Sequence, residues 1–139
     1  MSKDGPVIIV NEDASSQKIL FEVFHTLEYT NEIVFFYDID KAFQYLQNGG
    51  TPPLLLLLEI NLHSMDKILL NLKFQKKSAL QVIPYIFFSR TYDHTVVMHT
   101  STSPNHGFFV MKNLDDTIES VTVIMEYWKR TVSPFDFSF

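Results

Sequence analysis

The sequence contains no cysteine, and this absence removes several kinds of protein at once. A disulfide framework, a thiol nucleophile and a cysteine-based zinc site are all excluded. The five histidines show no spacing typical of metal ligands. His94 and His99, for example, are five residues apart and would not share a helix face, so a zinc site is not expected.

Basic residues and long apolar runs are also scarce. Lysine and arginine total 11 against 16 aspartates and glutamates, for a net charge of −5 at pH 7. No basic stripe is available to neutralise phosphates, so we expect no nucleic-acid partner. The leucine run at 54–58 is far shorter than the roughly 20 apolar residues that a membrane helix needs. The N-terminus lacks the apolar segment of a signal peptide, and we expect a cytoplasmic protein with no membrane partner.

The leucine run is the most informative stretch of the chain. It follows Pro52 and Pro53, contains no polar residue and ends at Glu59. An apolar run bounded by turn signals, without polar alternation, is typical of a strand buried on both faces in a parallel sheet. Open α/β sheets place their sites at the carboxyl ends of such strands. Glu59 is therefore the first candidate site residue.

The remaining pattern predicts one domain of 139 residues, with a core at about 6–130 and a tail at 131–139. Segments with helical apolar spacing separate the predicted strands. The third helix is expected to close on Lys76–Lys77, and the fourth to be loose at 100–104. This alternation predicts an α/β fold with a doubly wound five-stranded parallel sheet. The predicted strands are 7–10, 33–37, 54–58, 83–88 and 108–111.

Polar side chains follow four of these strands in a specific order. They are Asn11 and Glu12 after the first strand, Glu59 after the third, Ser89 after the fourth and Lys112 after the fifth. This arrangement resembles the receiver domain of two-component response regulators, which has the flavodoxin-like (CheY-like) fold, over roughly residues 7–130.

The resemblance implies a role for each of these positions. Glu59 matches the aspartate that accepts a phosphoryl group from a histidine kinase, while Asn11 and Glu12 match the acidic pair that helps to bind magnesium. Ser89 and Lys112 match the hydroxyl and the lysine that meet the phosphate. Two further positions match as well: Asn61 for the carbonyl that contacts the metal, and Phe109 for the switch aromatic. A carboxylate acceptor needs such a cation to offset repulsion from the incoming phosphoryl group.

The chain departs from that family at positions that matter for phosphoryl transfer. Glu59 carries one methylene more than aspartate, which moves its carboxylate by about 1.5 Å, and a misplacement of about 1 Å can cost roughly 100-fold in rate. Asn11 removes one charge, so Mg²⁺ should bind weakly or not at all, through Glu12, Glu59 and Asn61 with Asn11 in the outer sphere. Arg90 stands where a small residue admits phosphate and is expected to occlude the cleft.

Three functions follow from these observations. The leading hypothesis is a stand-alone pseudo-receiver, not an enzyme, that acts in trans by binding a protein partner, either a histidine kinase or a downstream effector. The first alternative is an active receiver in which Glu59 accepts the phosphoryl group. The second is a flavodoxin-like cofactor-binding protein, which the acidic turn at 11–13 disfavours because it would repel phosphate.

The leading hypothesis predicts a specific geometry. Glu12, Glu59, Ser89, Arg90 and Lys112 should converge in one cleft at the carboxyl edge of the sheet. Glu59 should face Lys112 and Arg90 through charge-assisted contacts. A domain held in one state in this way would present its helix-four to helix-five face, with Tyr127, to the partner.

Overall fold

The computed structural model describes residues 3–49, 51–74, 83–102, 105 and 107–131. In these residues five strands alternate with five helices. Their bounds are β1 Val7–Val10, α1 Ala14–Thr26, β2 Ile33–Phe36, α2 Ile39–Gln47, β3 Leu55–Glu59, α3 Met65–Phe74, β4 Tyr85–Ser89, α4 His94–Ser101, β5 Phe108–Val110 and α5 Leu114–Arg130.

All strand pairs are parallel, and the sheet order is β2-β1-β3-β4-β5. The prediction of a doubly wound five-stranded parallel sheet is confirmed. The leucine strand lies at its centre, and Leu55 to Leu58 are at most 3% exposed. Burying a leucine side chain contributes about 1.5–3 kcal/mol, so β3 anchors the fold.

The sheet divides the core into two layers because successive side chains of a strand point to opposite faces. On β3, Leu55 and Leu57 pack in the layer covered by α1 and α5. Leu56 and Leu58 pack in the other layer, which α2, α3 and α4 cover. The leucine run therefore has no wet face, and this is why it shows no polar alternation.

Four of the helices have a side-chain N-cap at the carboxyl edge of the sheet. Asp13, Asp38, Asp93 and Asn113 each accept a hydrogen bond from a backbone N–H in the first turn of the following helix. Such caps satisfy donors that have no partner within the helix. They also keep each strand-to-helix connection short, so the side chains of these connections stay close to the carboxyl edge.

The predicted boundaries differ from the observed ones by one or two residues at several strands. The fourth helix differs more clearly, since α4 runs to Ser101 although its end was expected to be loose. Thr100 is only 2% exposed, and its hydroxyl donates to the carbonyl of Val96 at 2.9 Å, so tertiary packing holds this turn in spite of its poor helix propensity. The expected end of the third helix at Lys76–Lys77 lies outside the described residues, as do positions 103 and 104. Within the described ranges, no helix combines the length and the apolar character needed to cross a membrane.

Candidate functional site

The carboxyl ends of β1 and β3 lie side by side, because these central strands pair along their whole length. The next two strands along the chain, β2 and β3, lie on opposite sides of β1 within the sheet. This is the switch point at which open α/β sheets form a crevice. Asn11 stands at the end of β1, and Glu59 is the last residue of β3. The topology thus brings together two residues that are 48 positions apart in the sequence.

Glu59 is a largely buried carboxylate. Its side chain is 13% exposed, and its Oε2 atom is fully buried and has no hydrogen-bond donor. Burial raises the pKa of Glu59, the Arg90 charge opposes this, and the nearby carboxylates of Asp13 and Glu12 add to it. The charged form of this side chain is therefore costly in the folded protein.

Arg90 is the cation that faces Glu59. The Nε atom of Arg90 lies 3.7 Å from Oε2 of Glu59, and the arginine side chain is 29% exposed. Both Nε and Nη2 of Arg90 are buried without a hydrogen-bond partner. The pair is thus held by charge attraction across a distance that is too long for a hydrogen bond.

An acidic pocket of about 30 Å³ lies on the β1 side of Glu59, with Asn11, Glu12 and Asn61 in its wall. Asn11 is buried, and its Oδ1 atom has no donor. Glu12 is exposed, and the side chain of Asn61 accepts a hydrogen bond from the backbone N–H of Ser64 at 2.9 Å. A single water needs about 10–15 Å³, so this pocket admits only a very small group.

A second pocket of about 230 Å³ lies on the β4 side of Glu59 and is lined by Asn61, Ser89 and Arg90. The hydroxyl of Ser89 donates to the backbone carbonyl of Thr91 at 2.7 Å. This bond fixes the turn after β4 and points the hydroxyl proton at the chain itself. Glu59, Ser89 and Arg90 therefore meet around one pocket, and Glu12 shares the neighbouring pocket with Glu59.

Lys112 is placed differently from the expectation. It is exposed and lines a cavity between α1 and α5 together with Arg90, but it lines neither of the two pockets that contain Glu59. No ion pair joins Lys112 to Glu59 among the described residues, so only the Arg90 half of the predicted contact is present. The predicted switch aromatic, Phe109, is partly buried against the α1–α5 layer.

Three residues of this edge were not assigned to the site by sequence reasoning. Asp13 adds negative charge near Glu59 while its side chain caps α1. Asp38 and Lys67 line the acidic pocket, and their side chains form an ion pair of 2.7 Å. The hydrogen bond from Lys67 holds the pKa of Asp38 below its usual range. Asp38 lies two residues after the end of β2, which neighbours β1, so its place near the strand end was the available signal.

The donor set fits a divalent cation only in part. Asn11 Oδ1 and Glu59 Oε2 are buried oxygens without donors, as a cation would require. Against this, no group of three or more His, Cys, Asp or Glu side chains suited to a metal occurs in the described ranges. The third carboxylate in the wall of the acidic pocket, Asp38, is held in its ion pair with Lys67.

Comparison with known proteins identifies the fold. No protein-family model and no curated protein sequence matches the chain. Among solved structures, the Mn²⁺-bound form of the response regulator Rcp1 is similar with a TM-score of 0.72 at 22% identity, over 92% of this chain and 97% of that one. The response regulator RPA3017 of R. palustris, from red-light signalling, has a TM-score of 0.77 at 19% identity, over 92% and 96%.

A third similar structure is the phosphorylated cyanobacterial phytochrome response regulator RcpA, with a TM-score of 0.76 at 20% identity, over 95% of this chain and 98% of that one. The likeness covers nearly the whole length of each protein and includes the sheet that carries Asn11 and Glu59. The chain therefore has the flavodoxin-like, CheY-like fold of response-regulator receiver domains.

Proposed function

We propose that this protein is a receiver-like module of two-component signalling that acts by binding a protein partner and is held in one state without phosphoryl transfer. The observation that carries the proposal is the Glu59–Arg90 ion pair, 3.7 Å long and largely buried at the switch point of the sheet. In this proposal, the ionised carboxylate of Glu59, paired with Arg90, supplies the negative charge that receivers acquire by phosphorylation. The module has no catalytic task of its own.

The surroundings of Glu59 support a site that does not accept phosphoryl groups. Arg90 lines the same pocket as Glu59 and Ser89, so its side chain takes up space that an entering phosphoryl group would need. Ser89 donates its proton to the carbonyl of Thr91 and would have to break this bond to reach a phosphate oxygen. Lys112, the residue matched to the phosphate-binding lysine, faces a different cavity.

Magnesium has a reduced role in this proposal. Glu12, Glu59 and the backbone carbonyl of Asn61 are the groups that would hold it, with Asn11 in the outer sphere. A bound ion would supply positive charge to a phosphoryl group in transfer. Magnesium prefers oxygen ligands, and this set offers only two carboxylates. The site is weak because one of the two, Glu59, already faces the positive charge of Arg90.

The partner would bind the face formed by α4, β5 and α5. Lys112, Asp116 and Glu119 line a shallow depression beside β5. Helical spacing places Val123 and Tyr127 on the same stripe of α5 as Asp116 and Glu119. These two apolar side chains are 50% and 60% exposed, and an aromatic anchor rimmed by charge is typical of a protein-binding surface.

The test is phosphorylation by acetyl phosphate in the presence of magnesium. We expect no phosphoryl adduct on the wild-type protein by intact mass, and no movement of the amide signals of β5 and α4. Glu59→Asp combined with Arg90→Ala should gain the adduct, because it restores the shorter acceptor and opens the pocket. Glu59→Gln is the matched variant that cannot be phosphorylated at this position, because a carboxamide replaces the carboxylate. Wild-type uptake, with shifts as large as those of the double variant, would refute the locked state.

A second candidate function, an active receiver with Glu59 as acceptor, is supported by one observation. Asn11 and Glu59 line the same pocket, and each has one buried side-chain oxygen without a donor, as a cation-dependent site requires. The acetyl phosphate experiment separates the two functions. An adduct on the wild type that is lost in Glu59→Gln favours this second function.

A further inference from the structure

A cavity of about 500 Å³ lies between α1 and α5, on the face of the sheet opposite to α2, α3 and α4. Its wall is largely aliphatic. Its polar lining residues are Arg90, Lys112 and Asn113 in the loops after β4 and β5, and Glu22 and Thr26 on α1. Ligand pockets in proteins commonly measure about 300–1,000 Å³ and combine an apolar wall with a few polar groups. The aliphatic side chains are Ile19, Val23, Leu27, Leu114 and Ile118.

Two cations stand at the loop end of this cavity with unused hydrogen-bonding capacity. The Nε and Nη2 atoms of Arg90 are buried without an acceptor. Lys112 has no acceptor for its ammonium group among the described residues. A buried donor on a charged group that lacks a partner costs free energy, which an acceptor brought by a ligand would remove once the guanidinium group turns towards the cavity.

The charge of the lining limits the ligand. Besides Arg90 and Lys112, one carboxylate, Glu22, lines the cavity, which leaves a single positive charge in excess. A ligand with one negative charge balances this lining, while a dianion would meet Glu22 without a further cation to compensate.

We propose that the α1–α5 cavity binds a small organic acid with an apolar body and one carboxylate, with the carboxylate bonded to Arg90 and Lys112. The apolar body lies along α1 and α5 and buries the partly exposed side chains of Ile19 and Leu114, which are 40% and 58% exposed. Binding is driven by this burial, and the carboxylate selects acids over neutral analogues.

The same ligand reaches the Glu59 site through Arg90. Arg90 lines both the α1–α5 cavity and the pocket that contains Glu59 and Ser89. A ligand carboxylate competes with Glu59 for the guanidinium group and weakens the ion pair. Ligand binding thereby changes the state that the Glu59–Arg90 pair maintains. This step alone rests on the proposed function, because the cavity can bind the ligand whether or not that function is correct.

The experiment is a titration of the ¹⁵N-labelled protein with octanoate, and with octan-1-ol as the neutral probe of matched length. We expect saturable octanoate shifts at amides of α1, the start of α5 and the loop after β4, with octan-1-ol at least about tenfold weaker. Arg90→Gln should weaken octanoate roughly tenfold, the scale of one charge-assisted bond. Arg130→Gln, at an exposed position of α5 where the arginine pairs with Glu126, is the matched control and should bind as wild type.

Ile19→Trp provides a second variant that fills the cavity from an exposed position and leaves the core intact. It should abolish the octanoate shifts while the remaining amide spectrum stays folded. Equal affinity for octan-1-ol, non-saturable shifts, or an unchanged affinity in Arg90→Gln would overturn the proposal. So would a dimer, measured by sedimentation, whose interface carries these same amides, since a second copy would then occupy the groove. Octanoate binding together with phosphoryl uptake by the wild type would leave this site in place and refute only the locked state.

Discussion

Arg90 Nε lies 3.7 Å from Glu59 Oε2, so the two charges attract each other without forming a hydrogen bond. Of the two cations predicted to face Glu59, Arg90 therefore forms an ion pair with it, while Lys112 does not. The pair neutralises a buried carboxylate but satisfies neither group. A new hydrogen-bond partner for either side chain would weaken its attraction to the other and leave the other charge less well compensated.

Replacing Glu59 by glutamine should make stability depend less on pH. Burial raises the pKa of Glu59 in the folded protein above the ordinary value of a glutamate side chain. The stability associated with the neutral carboxyl is thus present in full below the unfolded pKa and is lost as pH rises through the folded pKa. Urea unfolding is measured between pH 4 and 8. Wild type should lose stability relative to Glu59→Gln as pH rises from the unfolded pKa of Glu59 through its folded pKa, and the difference should stay constant at higher pH. A pH-independent difference would contradict the raised pKa.

Removing the charge of Arg90 alone should lower the free energy of unfolding more than removing the charges of both Arg90 and Glu59. Arg90→Gln leaves Glu59 buried without its counter-charge and should lower the free energy of unfolding at pH 7 by about 1–2 kcal/mol, less than for a fully buried pair because the arginine is partly exposed. The double variant Arg90→Gln/Glu59→Gln should recover most of this loss. Chemical denaturation of the four proteins in a double-mutant cycle gives the coupling, and additive effects would mean that the two charges do not interact.

Magnesium should show no saturable binding in the low micromolar range by calorimetry. The physical reason is the two-carboxylate donor set, in which Glu59 faces Arg90. Asn11→Asp combined with Glu59→Asp supplies a third carboxylate and the shorter acceptor, and it should bind Mg²⁺ at least about tenfold more tightly. Tight binding by wild type would show instead that the existing oxygens suffice.

Truncation of the central strand should be severe. Leu57→Ala removes a side chain that is completely buried in the layer under α1 and α5, and it should cost about 2–5 kcal/mol of unfolding free energy. Leu70→Ala on α3 is the matched control, because that leucine is 54% exposed and should cost far less. Similar losses at both positions would contradict the described core.

The fold was more accessible from sequence than the site was. Five leucines without polar alternation leave few alternatives to a central strand, and the position of Glu59 after them follows directly from the chain. The partner of Glu59 could not be read in the same way. Arg90 and Lys112 both follow strands that end on this edge, but only Arg90 lines the pocket with Glu59, because β4 is the direct neighbour of β3 and β5 is one strand further away.

The uniform composition of β3 has a consequence for strand pairing. A shift of one residue normally exchanges the inner and outer side chains of a strand and is penalised strongly. On β3 such a shift would replace leucine by leucine at most positions, so the run itself hardly distinguishes one alignment from the next. The ends of β3 must therefore fix its pairing register. At one end, the backbone N–H of Leu54 donates to the carbonyl of Pro6 at 2.9 Å. At the other end, a shift towards the interior would drag the carboxylate of Glu59 between the two apolar layers. Glu59 thus also marks where the central strand must stop.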